Sequence, residues 1–245
     1  MSLKYQTDEE VSVTGSNEGD QVDPFPVPVY TYIFLVSIAA VAVTQFATDL
    51  DESIALAGFV KPAFVVDHQY WRILTGATLH ASVFHVLMNG YAFYSFGRIF
   101  EFLSNRAHLA IVFLLSAIGG GLLSLLFVPN GTSVGASGGI VGLIGYLAVY
   151  AFRRRQFISA EFRKNLLVNI GFLLVFGLIL YRVIDNFGHL GGLITGGVYG
   201  LLQIPSDPTA DPRDAGKTAQ VFGLISLGVY IAGCIFSILL ITQAI

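Results

Sequence analysis

Seven long apolar segments set what this chain can fold into. They lie at roughly residues 29–48, 83–102, 107–128, 137–153, 165–183, 188–204 and 219–243. Each is about 17 to 25 residues long, which is the length an α-helix needs to cross a bilayer core of about 30 Å. In lipid, every backbone polar group must be satisfied within the protein, so such segments form helices. The sequence therefore predicts an all-α, polytopic transmembrane helical bundle.

The overall composition supports this prediction and excludes other classes of protein. Hydrophobic residues make up 54% of the 245 residues and charged residues only 12%. The net charge of -3 leaves no basic surface for nucleic acid, so the expected surroundings are the lipid bilayer and no nucleic acid. A single cysteine, Cys234, excludes both a disulfide within the chain and a cysteine-rich metal site.

Polar stretches divide the chain into four parts. Residues 1–27 are acidic and end in prolines, which predicts a disordered cytoplasmic tail. Residues 28–204 form a six-helix core, 205–218 a cytoplasmic linker and 219–245 an additional C-terminal transmembrane helix. Residues 49–82 are too long for a plain link, and we expect short helices at the outer membrane interface there.

Lysine and arginine are distributed unevenly between alternate polar segments. With the amino terminus inside, ten of the 13 lie on the inner side: Lys4, Arg98, Arg106, Arg153, Arg154, Arg155, Arg163, Lys164, Arg213 and Lys217. Three lie outside: Lys61, Arg72 and Arg182. Cytoplasmic loops are enriched in these residues. We therefore expect a multi-pass protein of the cell membrane, with a cytoplasmic amino terminus and an external carboxyl terminus.

A few polar side chains lie within the apolar segments. They are His85 and Asn89 in the second, Ser137 at the start of the fourth, and Asn186 and His189 at the start of the sixth. Such groups are costly in lipid and are functional candidates by default. In the expected orientation these three spans run from outside to inside, so all five side chains lie near the outer ends of their helices. The sequence thus predicts one shared polar site.

Ser137 stands in Gly135-Ala136-Ser137-Gly138-Gly139, where a polar loop meets an apolar helix. At a rise of 1.5 Å per residue it lies about 24 Å from Arg153, and so about 6 Å below the outer surface. Glycine stripes run along the fourth and sixth spans: Gly138, Gly142 and Gly145, and Gly192, Gly196 and Gly200. Close approach of these helices would bring Ser137 to His189, as a nucleophile and its base require.

His85 and Asn89 are four residues apart and share one helix face. Beside a serine nucleophile they are suited to stabilise an oxyanion together with the Ser137 backbone N–H. Taken alone, the pair could equally serve as hydrogen bonding between helices. Asp185 lies one turn before His189, where a carboxylate suits the start of a helix better than a role in a catalytic triad.

These features together resemble the rhomboid family of intramembrane serine proteases over about residues 70–200. The matching pieces are Trp71-Arg72, His80, His85 with Asn89, Gly97 with Glu101, Gly135-Ala136-Ser137-Gly138, and His189 with Gly192 and Gly196. Each motif is weak alone, but their order and spacing together are specific. The resemblance makes residues 28–204 a rhomboid-like catalytic core and the last span an addition to it.

The resemblance implies a serine endopeptidase that uses a Ser137–His189 dyad, without cofactor or metal. Ser137 would attack the scissile carbonyl and His189 would act as general base and then general acid. His85 and Asn89 would stabilise the oxyanion, and Gly135 and Asn186 would line the site. The implied substrates are single-pass transmembrane proteins cut near the outer end of a span.

Three other functions are alternatives to that of a serine protease, and at one position the chain differs from the family pattern. A noncatalytic rhomboid-like protein that binds membrane clients would not need the retained Ser137 and His189. A small transporter would place its polar site near the midplane and mirror its two halves. Zinc on His80, His85 and His189 would lack the usual His-Glu-x-x-His spacing.

Relatives often have an aromatic residue where this chain has Val141, so another group must hold the His189 ring, or activity is lower.

Overall fold

The computed structural model describes residues 27–180, 183–207 and 209–245 and is almost entirely helical. Its helices are α1 (Val29–Ala47), α2 (Leu50–Ala57), α3 (Lys61–Val66), α4 (Arg72–Thr75), α5 (Val83–Leu103), α6 (Arg106–Phe127), α7 (Ser137–Arg153), α8 (Ala160–Ile179), α9 (Asn186–Gln203) and α10 (Lys217–Ile241). Two short strands are β1 (Phe59–Val60) and β2 (Thr132–Ser133). The predicted all-α bundle is confirmed.

Seven of these helices lie on the seven apolar segments. Their ends agree with the sequence to within a few residues, except that α8 begins at Ala160 rather than near residue 165. Four of them, α1, α6, α8 and α10, are long and apolar enough to cross a membrane by themselves. The acidic tail predicted at residues 1–27 lies outside the described residues, except for its last position.

Helices α6, α7 and α9 form the centre of the bundle because glycines let their backbones approach. A methyl group at Gly192 would overlap the carbonyl oxygen of Gly138, and one at Gly196 would overlap that of Gly142. Gly191 of α9 meets the Gly119 carbonyl of α6 in the same way. The predicted glycine contact between the fourth and sixth spans is therefore present, and it holds α7 and α9 close along their length.

Aromatic side chains join α10 to the rest of the bundle. Phe34 of α1 lies 4.8 Å from Phe113 of α6 and 4.9 Å from Tyr230 of α10, measured between ring centroids. All three rings are buried. The additional C-terminal helix thus packs into the core formed by α1 and α6.

The segment between α1 and α5 contains three short helices and β1, as its apolar pieces suggest. Strand β1 pairs with β2 in antiparallel register, with Phe59 opposite Ser133. Arg72 is buried, and its Nη1 donates to the carbonyls of Ala55 at 3.0 Å and Gly58 at 2.8 Å. This segment is therefore folded onto the bundle and braced by a buried guanidinium.

Candidate active site

Gly135 adopts a backbone conformation that favours glycine. Its φ is +128°, and its N–H donates to the Gly76 carbonyl at 2.9 Å. A Cβ at this position would lie 3.0 Å from His85 Nε2 and 3.6 Å from Ser137 Oγ. Gly135 therefore turns the chain into α7 and borders both the His85 ring and the Ser137 hydroxyl.

Ser137 and His189 form a hydrogen bond between two helix starts. The Ser137 Oγ and His189 Nε2 atoms are 2.8 Å apart, although the residues are 52 positions apart in sequence. Ser137 is the first residue of α7, and His189 lies in the first turn of α9. Both side chains are half-buried, so the pair lies inside the protein near an opening. The separation falls within the range expected for a nucleophile and its base.

His85 faces this pair from the start of α5. The Ser82 hydroxyl caps that helix by accepting from the His85 N–H at 3.1 Å. His85 Nδ1 accepts from the Ala81 N–H at 3.3 Å, which assigns the ring proton to Nε2, the atom that faces Gly135. His85 Nε2–H therefore lies beside Gly135, as does the Ser137 hydroxyl. The Ser137 N–H is a second donor nearby, because it has no intrahelical partner at the first helical position.

Asn89 is buried one turn further along α5. Its Nδ2 donates to the His85 carbonyl of its own helix at 3.2 Å. The side chain is only 6% exposed. The structure therefore brings His85 to the Ser137–His189 pair, while the Asn89 amide is bonded within α5, and its role at an oxyanion stays a prediction.

His80 is fully buried beside His85, with the ring centroids 5.0 Å apart. Its backbone is held by Gln45, which donates to the His80 carbonyl at 2.8 Å and accepts from the His80 N–H at 3.0 Å. Burial lowers the pKa of His80 to about 3, so the ring is neutral. In the part of the chain that the structure describes, neither ring nitrogen has a hydrogen-bond partner.

A small cavity of about 50 Å³ adjoins the Ser137–His189 pair. Its walls include Gly135, Ala77 and Asp185. This volume holds a water-sized group, because one water occupies about 30 Å³ in the liquid. Among the described residues, no three His, Cys, Asp or Glu side chains are grouped in a way that could hold a metal ion.

Residues 67–206 match the family model of the Rhomboid domain, and this range contains the whole of the site just described. The chain belongs to the rhomboid family. Together with the four apolar helices, this makes it an integral membrane protein. Members of this family act in a membrane on membrane-protein clients.

Three similar proteins show the range of this rhomboid family. Rhomboid protease GluP of Bacillus subtilis is 31% identical over 175 residues, or 69% of this chain and 34% of that protein. RHOMBOID-like protein 6, mitochondrial, of Arabidopsis thaliana is 33% identical over 56% of this chain and 45% of that protein. Inactive rhomboid protein 1 of Bos taurus is 34% identical over 60% of this chain and 17% of that protein. The chain thus spans less than half of each relative's length.

Asn186 does not reach the rhomboid site. Its Nδ2 donates to the Gly177 carbonyl of α8 at 2.9 Å, which ties the start of α9 to α8. Asn186 is also not among the residues that line the cavity beside Ser137. No contact supports the prediction that Asn186 lines the site, because its amide donates to the neighbouring helix α8.

Val141 is buried within α7, one turn beyond the serine. Within the described residues, the hydrogen bond that holds the His189 ring is the one with Ser137. Where the family resemblance leads us to expect an aromatic ring packed on His189, this chain has the aliphatic side chain of Val141.

Asp185 caps α9 and does not bond to the His189 ring. Its Oδ1 accepts from the Gly188 N–H at 2.8 Å, and its Oδ2 accepts from the hydroxyls of Ser124 and Ser133, each at 2.5 Å. Burial alone would raise the pKa of this carboxyl, but these hydrogen bonds and nearby Lys61 bring the pKa below its usual value. The sequence indicates the position of Asp185 at a helix start, but its neighbours Lys61, Ser124 and Ser133 are distant in sequence and could not be predicted.

Proposed function

We propose that this protein is an intramembrane serine endopeptidase that hydrolyses a peptide bond near the outer end of transmembrane segments of single-pass membrane proteins. The observation that carries the proposal is the 2.8 Å hydrogen bond between Ser137 Oγ and His189 Nε2. A serine within reach of a neutral imidazole is the arrangement that nucleophilic catalysis requires. Family membership supplies the membrane setting.

The proposed reaction begins at the Ser137 hydroxyl. His189 Nε2 takes the hydroxyl proton while Oγ bonds to the scissile carbonyl carbon. The carbonyl oxygen then carries negative charge, which the Ser137 N–H and His85 Nε2–H are suited to stabilise; Asn89 is the further predicted donor.

The second half of the reaction releases the two products. The carbon–nitrogen bond breaks, and His189 returns its proton to the departing amine. Water, deprotonated by His189, then attacks the acyl ester and regenerates the Ser137 hydroxyl. The proposed mechanism needs no cofactor or metal, because both proton transfers use one imidazole.

The alternative is a noncatalytic protein that binds membrane clients. The relative named Inactive rhomboid protein 1 keeps this alternative open, because it matches this chain at 34% identity. The hydrogen-bonded Ser137–His189 pair favours an active enzyme, since client binding alone does not require it. The proposed catalytic unit is the six-helix core of residues 28–204, followed by the linker 205–218 and the added helix in 219–245.

Labelling with a serine-directed fluorophosphonate tests this proposal. The wild-type protein should react with the probe and cleave a reporter transmembrane substrate, because both reactions use the Ser137 hydroxyl as the nucleophile. Ser137→Ala should lose both, while its expression and melting temperature in detergent stay unchanged. Equal cleavage by wild type and Ser137→Ala would end the protease interpretation, and a wild type that neither labels nor cleaves would favour the noncatalytic alternative.

A further inference from the structure

Lys61 is among the most deeply buried side chains of the described residues, with an exposed fraction of 1%. Lysine is almost never fully buried unless it is paired. Here its Nζ donates to the Ser124 hydroxyl of α6 at 2.6 Å, and its backbone N–H donates to the Gly131 carbonyl at 3.2 Å. An outer cation that only sets the orientation of the chain would not need to be buried, so the burial of Lys61 requires a separate explanation.

Ser124 connects Lys61 to a carboxylate. The Ser124 hydroxyl accepts from Lys61 and donates to Asp185 Oδ2 at 2.5 Å. The Ser133 hydroxyl of β2 donates to the same Oδ2 at 2.5 Å. A buried ammonium and a half-buried carboxylate are therefore joined through the Ser124 hydroxyl, which accepts from the one and donates to the other. We call Lys61, Ser124, Ser133 and Asp185 the lysine–aspartate network.

The network joins the two parts of the chain that carry the reactive pair. Asp185 caps α9, and its carbonyl accepts from the His189 N–H at 3.0 Å. Ser133 lies two residues before Gly135, which turns the chain into Ser137. The segment before Ser137 and the start of the helix that carries His189 are thus both held by the Asp185 residue.

Charge explains why Lys61 matters to this junction. The Asp185 carboxylate is half-buried, and a charge held away from water without a partner is destabilising. Burial also lowers the pKa of Lys61, and the nearby Asp185 carboxylate opposes that change. The Lys61 ammonium and the Asp185 carboxylate therefore stabilise each other's charge, and Asp185 in turn caps α9.

We propose that Lys61 is a positioning residue for the Ser137–His189 pair, acting through Ser124 and Asp185 to fix the start of α9 against the 132–135 segment. The effect of Lys61 on catalysis rests on the proposed protease function. The tie between Lys61 and α9 itself does not depend on activity. A displacement of about 1 Å between reacting groups can cost about 10²-fold in rate.

Two variants test the network, each with a matched control. Lys61→Met keeps an unbranched stem and removes the ammonium, and its control is Lys164→Met at an exposed lysine. Ser124→Ala removes the bridging hydroxyl, and its control is Ser116→Ala, a buried α6 serine whose hydroxyl has no partner in the described part of the chain. All four are made in the full chain and purified in detergent.

The first measurement is amide hydrogen exchange, which needs no substrate. Both network variants should exchange faster at residues 186–190 and 132–136, and the two controls should not. Unchanged exchange in these segments would overturn the proposal. A uniform increase along all helices that follows a fall in melting temperature would also overturn it, because Lys61 would then serve only the stability of the fold.

The second measurement is reporter cleavage by the same four variants. Lys61→Met and Ser124→Ala should lower kcat about tenfold or more with KM within about threefold of wild type, since reactive groups and not substrate contacts are displaced. A kcat equal to that of the controls would overturn the positioning role. If exchange changes as expected while wild type shows neither labelling nor cleavage, the tie to α9 stands and the proposed protease function falls.

Discussion

Gly135 is the position where one added methyl group tests the candidate site most directly. Its φ of +128° is rarely adopted by other residues, and a Cβ would lie 2.9 Å from His85 Cε1. Gly135→Ala should therefore strain the backbone by about 1–3 kcal/mol. It should also displace the His85 ring, so that reporter cleavage falls by about 10²-fold, as for the loss of one oxyanion donor.

The matched control for this prediction is Gly171→Ala in α8. A Cβ at Gly171 meets nothing within 4 Å, so cleavage and melting temperature should stay at wild-type values. Both variants are compared by initial cleavage rate and by thermal melting in detergent. If Gly135→Ala cleaves as fast as Gly171→Ala, then neither the Gly135 conformation nor the His85 position limits the reaction.

At the scale of single residues, the sequence predicted the pairing of Ser137 with His189 but not its surroundings. Ser137 and His189 stood out because polar groups are rare in the apolar segments, and the resemblance to a known family joined them. Lys61 did not stand out, because it lies directly after β1, at the start of the short apolar helix α3, in a segment expected to face the membrane surface. Its partners Ser124 and Ser133 are ordinary hydroxyl residues, and only the folded chain brings them to Asp185.

Helix α9 offers two adjacent glycines with opposite surroundings. A Cβ at Gly196 would overlap the Gly142 carbonyl of α7, whereas one at Gly197 would lie 3.9 Å from its nearest neighbour, the Gly145 carbonyl. Gly196→Ala should push α7 and α9 apart and destabilise the protein by about 1–3 kcal/mol, as overpacking typically does. It should also lower cleavage, because the Ser137–His189 distance depends on this contact.

Gly197→Ala is the control, since it adds the same methyl group at ordinary contact distance. It should melt within about 0.5 kcal/mol of wild type, as expected for a substitution that disturbs no packing. Both stabilities are measured by denaturant or thermal unfolding in the same detergent. Equal destabilisation of the two variants would show that glycine flexibility, and not close packing of α7 against α9, matters here.

At the scale of whole elements, periodicity and length predicted the long helices well. The glycine stripes predicted which helices touch, because glycines repeat every three or four positions along α7 and every four positions along α9. The two-residue strands β1 and β2 could not be predicted, since a pair so short carries no periodic pattern. Helix α10 looked like an addition to a complete core, yet it is joined to the segment between α4 and α5 by the buried 2.9 Å contact between the Thr78 and Ser237 hydroxyls.

At the scale of the whole molecule, the structure shows which of the lysine and arginine side chains behind the predicted orientation are exposed and which are buried. Of the three outer cations, Lys61 and Arg72 are buried in the protein and bonded to it. They are not free to interact with lipid headgroups, and Arg182 lies outside the described residues. The inner side keeps exposed cations such as Arg155 and Lys164. Arg154 on the inner side is buried as well. The excess of exposed inner cations, on which the predicted orientation rests, is nonetheless larger relative to the outer side than a count of the sequence alone indicates.

This imbalance predicts a cytoplasmic amino terminus and an external carboxyl terminus, since the seven predicted spans would place the two ends on opposite sides. A reporter tag at residue 1 should be protected in intact cells, and one at residue 245 should be accessible to an impermeant label. Both tags should become accessible once the membrane is permeabilised. The reverse pattern would place Ser137, His189 and His85 near the cytoplasmic face. Substrates would then have to be cut at the inner ends of their spans, and the proposed site of cleavage would be wrong even if the Ser137–His189 chemistry held.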